Sequence, residues 1–147
     1  MGSHDRMKIF LSCARHDRDF AAKLVKQLEL KGHKVWDPER ELLPGDEWTS
    51  YLRKALAESD AMVVLLSPDS ADSRWVSYEL EYALGAKHLS GRLIPVLTRP
   101  TRNIPWILRE LRMIRGSDDP AVISRKIIER LAARSHHEEK KSQAKAC

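Results

Sequence analysis

The order of apolar runs in this 147-residue chain predicts an α/β fold. The expected form is a flavodoxin-like three-layer sandwich: a parallel five-stranded sheet, order 2-1-3-4-5, with helices on both faces. Three observations predict it. Short strand-like runs alternate with segments of helical period along almost the whole chain. Ala61-Met62-Val63-Val64-Leu65-Leu66 is apolar without a break, as a central parallel strand covered on both faces should be. Right-handed crossovers between parallel strands then require a helix layer on each side.

Composition sets the class. The apolar fraction is 42% and the charged fraction 32%, as in ordinary globular proteins. Two cysteines, Cys13 and Cys147, form neither a disulfide framework nor a metal-ligand spacing, which fits a cytoplasmic setting. No apolar run approaches the roughly 20 residues that span a membrane, so no membrane role is expected. A net charge of +5 is too mild to call for nucleic acid as a partner. Met1–His4 reads as a tag remnant, and residues 1–6 are set outside the domain. The domain is expected over residues 7–134, with 135–147 a disordered polar tail or linker stub.

The elements follow in order. Lys8–Ser12 reads as a buried strand, and residues 13–16 as a loop. Asp17 is placed to cap a helix carrying Phe20, Ala21, Leu24, Val25 and Leu28, which stops near Gly32. His33–Trp36 is a second strand. The loop 37–45 is fenced by Pro38 and Pro44, and Asp46 is a cap for a helix with Trp48, Leu52, Ala55 and Leu56 inward. Leu93–Leu97 is a fourth strand whose Pro95 points to a place toward the edge. Ile104–Leu108 starts a short helix, and Met113-Ile114 is a brief last strand. Asp119-Pro120 pairs a cap with a proline at the first helical position, opening a helix with Val122, Ile123, Ile127, Ile128 and Leu131.

The stretch Ser73–Leu80 carries the chemistry. With Trp75 set at 0°, Glu79 falls at about 40°, inside the arc of Tyr82, Ala86, Ala83, Val76 and Leu80, whereas Glu81 falls at about 240° among polar positions. A carboxylate on the apolar side is costly unless it is paired, hydrogen-bonded or kept for chemistry. Trp75, one turn earlier, shares its face. In this fold ligands sit outside the carboxyl ends of the strands, here the loops 13–16, 37–45, 67–74 and 98–103.

Other chemistries of this fold fit poorly. A receiver domain needs acidic residues where Ser12-Cys13 and Ser67-Pro68 stand. A low-molecular-weight phosphatase needs an arginine six residues after the cysteine, and position 19 is Asp19. No glycine-rich phosphate loop follows the first strand.

Five boxes, in order, resemble Toll/interleukin-1 receptor (TIR) domains: Phe10-Leu11-Ser12 with Asp17 behind it, Leu43-Pro44-Gly45-Asp46, Ser59–Ser67, Ser73-x-Trp75-x-x-x-Glu79-Leu80 and Arg92–Val96. The spacing is similar to bacterial members. Cys13-Ala14 departs from the family, where a tyrosine or histidine followed by serine is common.

The resemblance implies an NAD+ glycohydrolase of bacterial immune or stress signalling, active on self-association. NAD+ would be its substrate rather than a cofactor, and no metal is implied. Glu79 maps onto the catalytic glutamate, with pairing to an arginine such as Arg15 as the bland alternative. Trp75 would wall the ligand or simply pack in the core. Asp37, Leu43 and Gly45 resemble family loop positions that close over the nucleotide or contact a neighbouring subunit, and Ser12, Cys13, Arg15 and Ser67 are further candidates for substrate binding. Leu43 is equally placed for an assembly contact, Gly45 for turn geometry, Arg15 for solvent and Ser67 for capping its loop. Expected partners are other copies of the domain and a sensor domain fused C-terminally. The rival implication is a non-catalytic TIR–TIR scaffold.

Overall fold

Lys8–Ser12 forms β1 in the computed structural model of the chain, which describes residues 6–37, 41, 47–68, 81–83, 85–89, 91–99, 101, 104, 106–109, 111–115 and 119–146, with side chains except at 48, 49, 106, 107 and 134–146. β2 is Lys34–Trp36, β3 Ala61–Leu66 and β4 Leu93–Leu97. All pair in parallel, in the order β2-β1-β3-β4. β3 is buried at every position because it has a strand on each side and a helix layer on each face.

The expected fifth strand shrinks to one bridge, Val96 to Ile114. Ile114 donates to the Pro95 carbonyl at 2.9 Å, and Leu97 donates to the Ile114 carbonyl at 2.9 Å. The exposed Arg112 and Arg115 flank this single buried residue, so no apolar run is left to extend the pairing. Pro95 belongs to the fourth strand, and its missing N–H faces this outer side. The main chain of a strand residue points both its groups to one neighbour, and the Pro95 carbonyl points to Ile114.

Helix α1 spans Arg18–Leu30, α2 Trp48–Glu58, α3 Trp106–Arg109 and α4 Pro120–Ala146. Residues 81–83 and 85 are also helical. The pleat sorts side chains between two cores. Ile9, Leu11, Val35, Val63, Leu65, Ile94 and Val96 meet Leu24 and Leu28 of α1 and Ile123, Ile127 and Leu131 of α4. Phe10, Met62, Val64 and Leu66 meet Leu52, Ala55 and Leu56 of α2, with Ala83, Leu89 and Leu108. Glu81 is exposed and Ala83 buried, as the helical wheel required.

Helix ends follow their chemistry. Gly32, with φ of 95°, closes α1: its N–H reaches the Glu29 carbonyl at 3.0 Å and the His33 N–H reaches Leu28 at 3.2 Å, the paired bonds of a glycine-terminated helix. Asp119 caps α4 by accepting the Ala121 N–H at 2.9 Å. The cap position of α2 is Glu47, which makes no side-chain capping bond; Asp46 lies outside the described residues. α4 does not stop at Ser135 but runs to Ala146. Its last stretch is rich in Glu, Lys, Gln and Ala and lacks Gly and Pro, so polarity there does not oppose helix. The Lys126 ammonium donates to the Arg115 carbonyl at 3.2 Å and the Arg130 guanidinium to that of Arg112, bracing α4 on the sheet edge. Burial, and Arg112 beside it, hold the Arg130 guanidinium below its ordinary pKa.

Leu65, at 0% exposure in β3, is expected to cost about 2–5 kcal/mol when cut to alanine. Leu30, 72% exposed at the end of α1, should cost no more than about 0.5 kcal/mol. Urea unfolding of both variants checks the pair.

Candidate functional site

The sheet order puts the candidate site at the carboxyl ends of β1 and β3. The chain leaves β1 to place β2 on one side and returns to place β3 on the other, so the switch point of the sheet, where folds of this kind bind ligands, lies between β1 and β3. Ser12 is the last residue of β1, level with Val64 in β3. Ser67 directly follows β3.

After β1 the chain makes a single 3-10 turn, Arg15–Asp17, in which the Asp17 N–H bonds to the Ala14 carbonyl at 2.9 Å. That turn aims the Asp17 side chain inward. Asp17 stands at the cap position of α1 yet makes no capping bond. Its carboxylate instead accepts a 2.6 Å hydrogen bond from the Ser67 hydroxyl and a 3.2 Å bond from the Arg99 guanidinium. Asp17 is 4% exposed and Arg99 52% exposed, so one partner of the ion pair is in the interior and the other reaches solvent. The first turn after β1, the end of β3 and the turn after β4 are thereby tied to one carboxylate. Thr98 reinforces the tie: its N–H and hydroxyl both donate to the Leu66 carbonyl, at 2.9 and 3.0 Å.

The Ser12 hydroxyl, at the end of β1, is buried and has no hydrogen-bond partner among the described residues. A buried hydroxyl without a partner costs about 1–3 kcal/mol, a cost relieved by a polar occupant. Cys13, next in the chain, is half-buried and packs against the α1/α4 core, which fits a small residue at a strand end.

The strand ends therefore bring together Ser12, Cys13 and Ser67 of the expected site residues. Arg15 is on the 3-10 turn at the same end of the sheet, exposed to solvent. Asp37 follows β2, half-buried, and its carbonyl accepts the Glu41 N–H at 3.0 Å. Leu43, Gly45, Trp75 and Glu79 lie outside the described residues. Two residues of the network were not singled out from the sequence. Asp17 reads there as a helix cap, which hides a buried role. Arg99 falls in the loop 98–103 after a strand, and its place at a carboxyl end was the one signal available. No group of three metal-ligating side chains occurs among the described residues, and among them no helix is long and apolar enough to cross a membrane.

Residues 9–132 match the family model of the TIR domain. The chain belongs to the TIR domain family. It is 29% identical over 111 residues, 73% of its length, to the stimulator of interferon genes protein of Magallana gigas. It is 32% identical over 97 residues, 64% of its length, to the NAD(+) hydrolase TcpA of Theionarchaea archaeon (strain DG-70-1). These matches span 27% and 29% of the two curated relatives. Among solved structures, the TIR domain of a Toll-related receptor of Hydra magnipapillata superposes with a TM-score of 0.68 at 25% identity, over 86% of this chain and 95% of that one. The TIR fold accounts for the parallel sheet and both helix layers.

Asp17→Ala leaves the buried Ser67 hydroxyl without its acceptor and is expected to lower stability by about 1–3 kcal/mol. Arg99→Ala removes a half-exposed partner and should cost under about 1 kcal/mol. Denaturant unfolding of the two variants measures the difference.

Proposed function

We propose that this TIR domain is an NAD+ glycohydrolase, splitting the bond between nicotinamide and ribose to release nicotinamide and ADP-ribose, linear or cyclised. The observation that carries the reading is the 32% identity to an archaeal protein named NAD(+) hydrolase, in a chain that retains Trp75-x-x-x-Glu79. The unpartnered Ser12 hydroxyl at the strand ends supports it, because a polar ligand would supply the missing bond.

The residue types suit the reaction. Nicotinamide departs as a neutral ring, so the two carboxylates of an ordinary glycosidase are not needed. Positive charge grows on the ribose as the bond breaks, and the Glu79 carboxylate stabilises it while holding the ribose hydroxyls. Trp75 packs against the pyridinium by stacking and cation–π attraction. Ser12 bonds to the sugar side of the substrate, with Arg15 near the pyrophosphate, while Ser67 holds Asp17 in place. Asp37, Leu43 and Gly45 belong to the loop that closes over the nucleotide or meets a second copy. Activity on self-association, a C-terminally fused sensor domain and a cytoplasmic role in bacterial immunity are part of the same proposal.

A scaffold role is the second reading, favoured by the likeness to a receptor TIR domain. In that case copies associate and NAD+ is not consumed.

Nicotinamide release from NAD+, measured at high protein concentration with a crowding agent, separates the two. Glu79→Gln is expected to lower kcat by at least about 100-fold, as loss of a transition-state contact does. Ser12→Ala is expected to act mainly on KM, raising it about tenfold. No release from the unmodified chain supports the scaffold; release that survives Glu79→Gln moves the chemistry to another residue.

A further inference from the structure

A second cluster lies toward the amino ends of β1 and β2, on the α2 face of the sheet. Lys8 and Lys34 open β1 and β2 and are register partners, side by side on the same face of a parallel pair. Strands in such a pair run about 4.8 Å apart, and like charges set opposite each other destabilise the pairing. Lys54 of α2 adds a third ammonium to the same groove. None of the three makes an ion pair among the described residues, and all are exposed. Lysine on an edge strand often serves to block further pairing. That need accounts for Lys34 but not for Lys8, on an inner strand, or Lys54, on a helix.

The groove they share has a volume of about 230 Å³ and an aromatic wall. Trp36, at the end of β2, is stacked on Phe10 with ring centroids 5.1 Å apart and planes 17° from parallel. The stack holds the indole in place while part of it lines the groove. Tyr51 of α2 faces the same space and is 50% exposed, one of two large apolar side chains left so open among the described residues. Glu58 is the one carboxylate in the lining. The Ser59 hydroxyl is occupied by the Ala55 carbonyl at 2.6 Å. Aromatic side chains that accept a planar ring, beside clustered ammonium groups, suit a ligand that is flat at one end and anionic at the other. The small volume favours a single ring system over a dinucleotide.

We propose that the groove between β2 and α2 binds a mononucleotide, its base against Trp36 and Tyr51 and its phosphates among Lys8, Lys34 and Lys54. The groove is lined by none of Ser12, Cys13 or Ser67, and the proposal does not depend on NAD+ cleavage at the β1/β3 switch point.

Titration calorimetry of the intact chain with ADP tests it, with adenosine and inorganic phosphate as the two halves of the ligand. Tyr51→Ala and Lys54→Glu alter exposed side chains, and unchanged thermal unfolding would show that the fold is kept. ADP is expected to bind with a Kd below about 1 mM, each variant to weaken it about tenfold, and either half alone to bind at least about tenfold more weakly. Binding is also expected to weaken as salt rises, and Lys54→Arg to retain it. ADP binding that both variants leave unchanged would assign the nucleotide to the β1/β3 switch point and overturn the proposal. So would an absence of ADP binding at about 1 mM, or phosphate binding as tight as that of ADP, which would leave the aromatic wall without a role.

Discussion

The pairing of β1 with β3 is the constraint on which the other features depend. Four register partners, Ile9 with Ala61 through Ser12 with Val64, join segments about 50 residues apart in sequence. Each strand is buried on both faces, so a slip of one residue would exchange every side chain between the two cores. With that register held, Ser12 and Ser67 lie at the same, carboxyl end of the sheet. The turn at Arg15–Asp17 then has one place to go, and its carboxylate meets the Ser67 hydroxyl. The switch point results from chain reversal about this pair rather than from any device of its own.

Asp17 shows how a site of this kind draws on stability. A helix cap at this position would add roughly 1 kcal/mol to α1, and the carboxylate is turned away from it. It holds three chain segments together instead. Ser12 adds a buried hydroxyl without a partner. Both sit where the strands end, although the Ser124 hydroxyl of α4 is likewise buried without a partner among the described residues.

Much of this was legible in the sequence because it was written in single residues with strong preferences. Ala61–Leu66 has no polar position to place outside, Gly32 alone among its neighbours adopts positive φ without strain, and Asp119-Pro120 has few other uses than a helix start. The parts that were not legible depend on partners far away in sequence. Asp17 meets Arg99 across 82 residues, and nothing in the spacing of Arg15-His16-Asp17 distinguishes that role from capping. The fifth strand failed because two apolar residues between arginines make a bridge but not a run. The final helix outlasted its apolar stripe because helix-forming residues continue past Leu131, the last core residue among the described side chains. The lysine groove was hidden for a simpler reason: Lys8 and Lys34 become neighbours only through the register.

Pro95 bears on how copies of the chain can meet. Its ring replaces the one donor that β4 would offer outward at that level, and Ile114 already occupies the adjoining carbonyl. A strand presented to β4 at this level would find neither a donor at Pro95 nor a free carbonyl there. Contacts made here have to be read by side chains, which can be selective, rather than by main chain, which cannot.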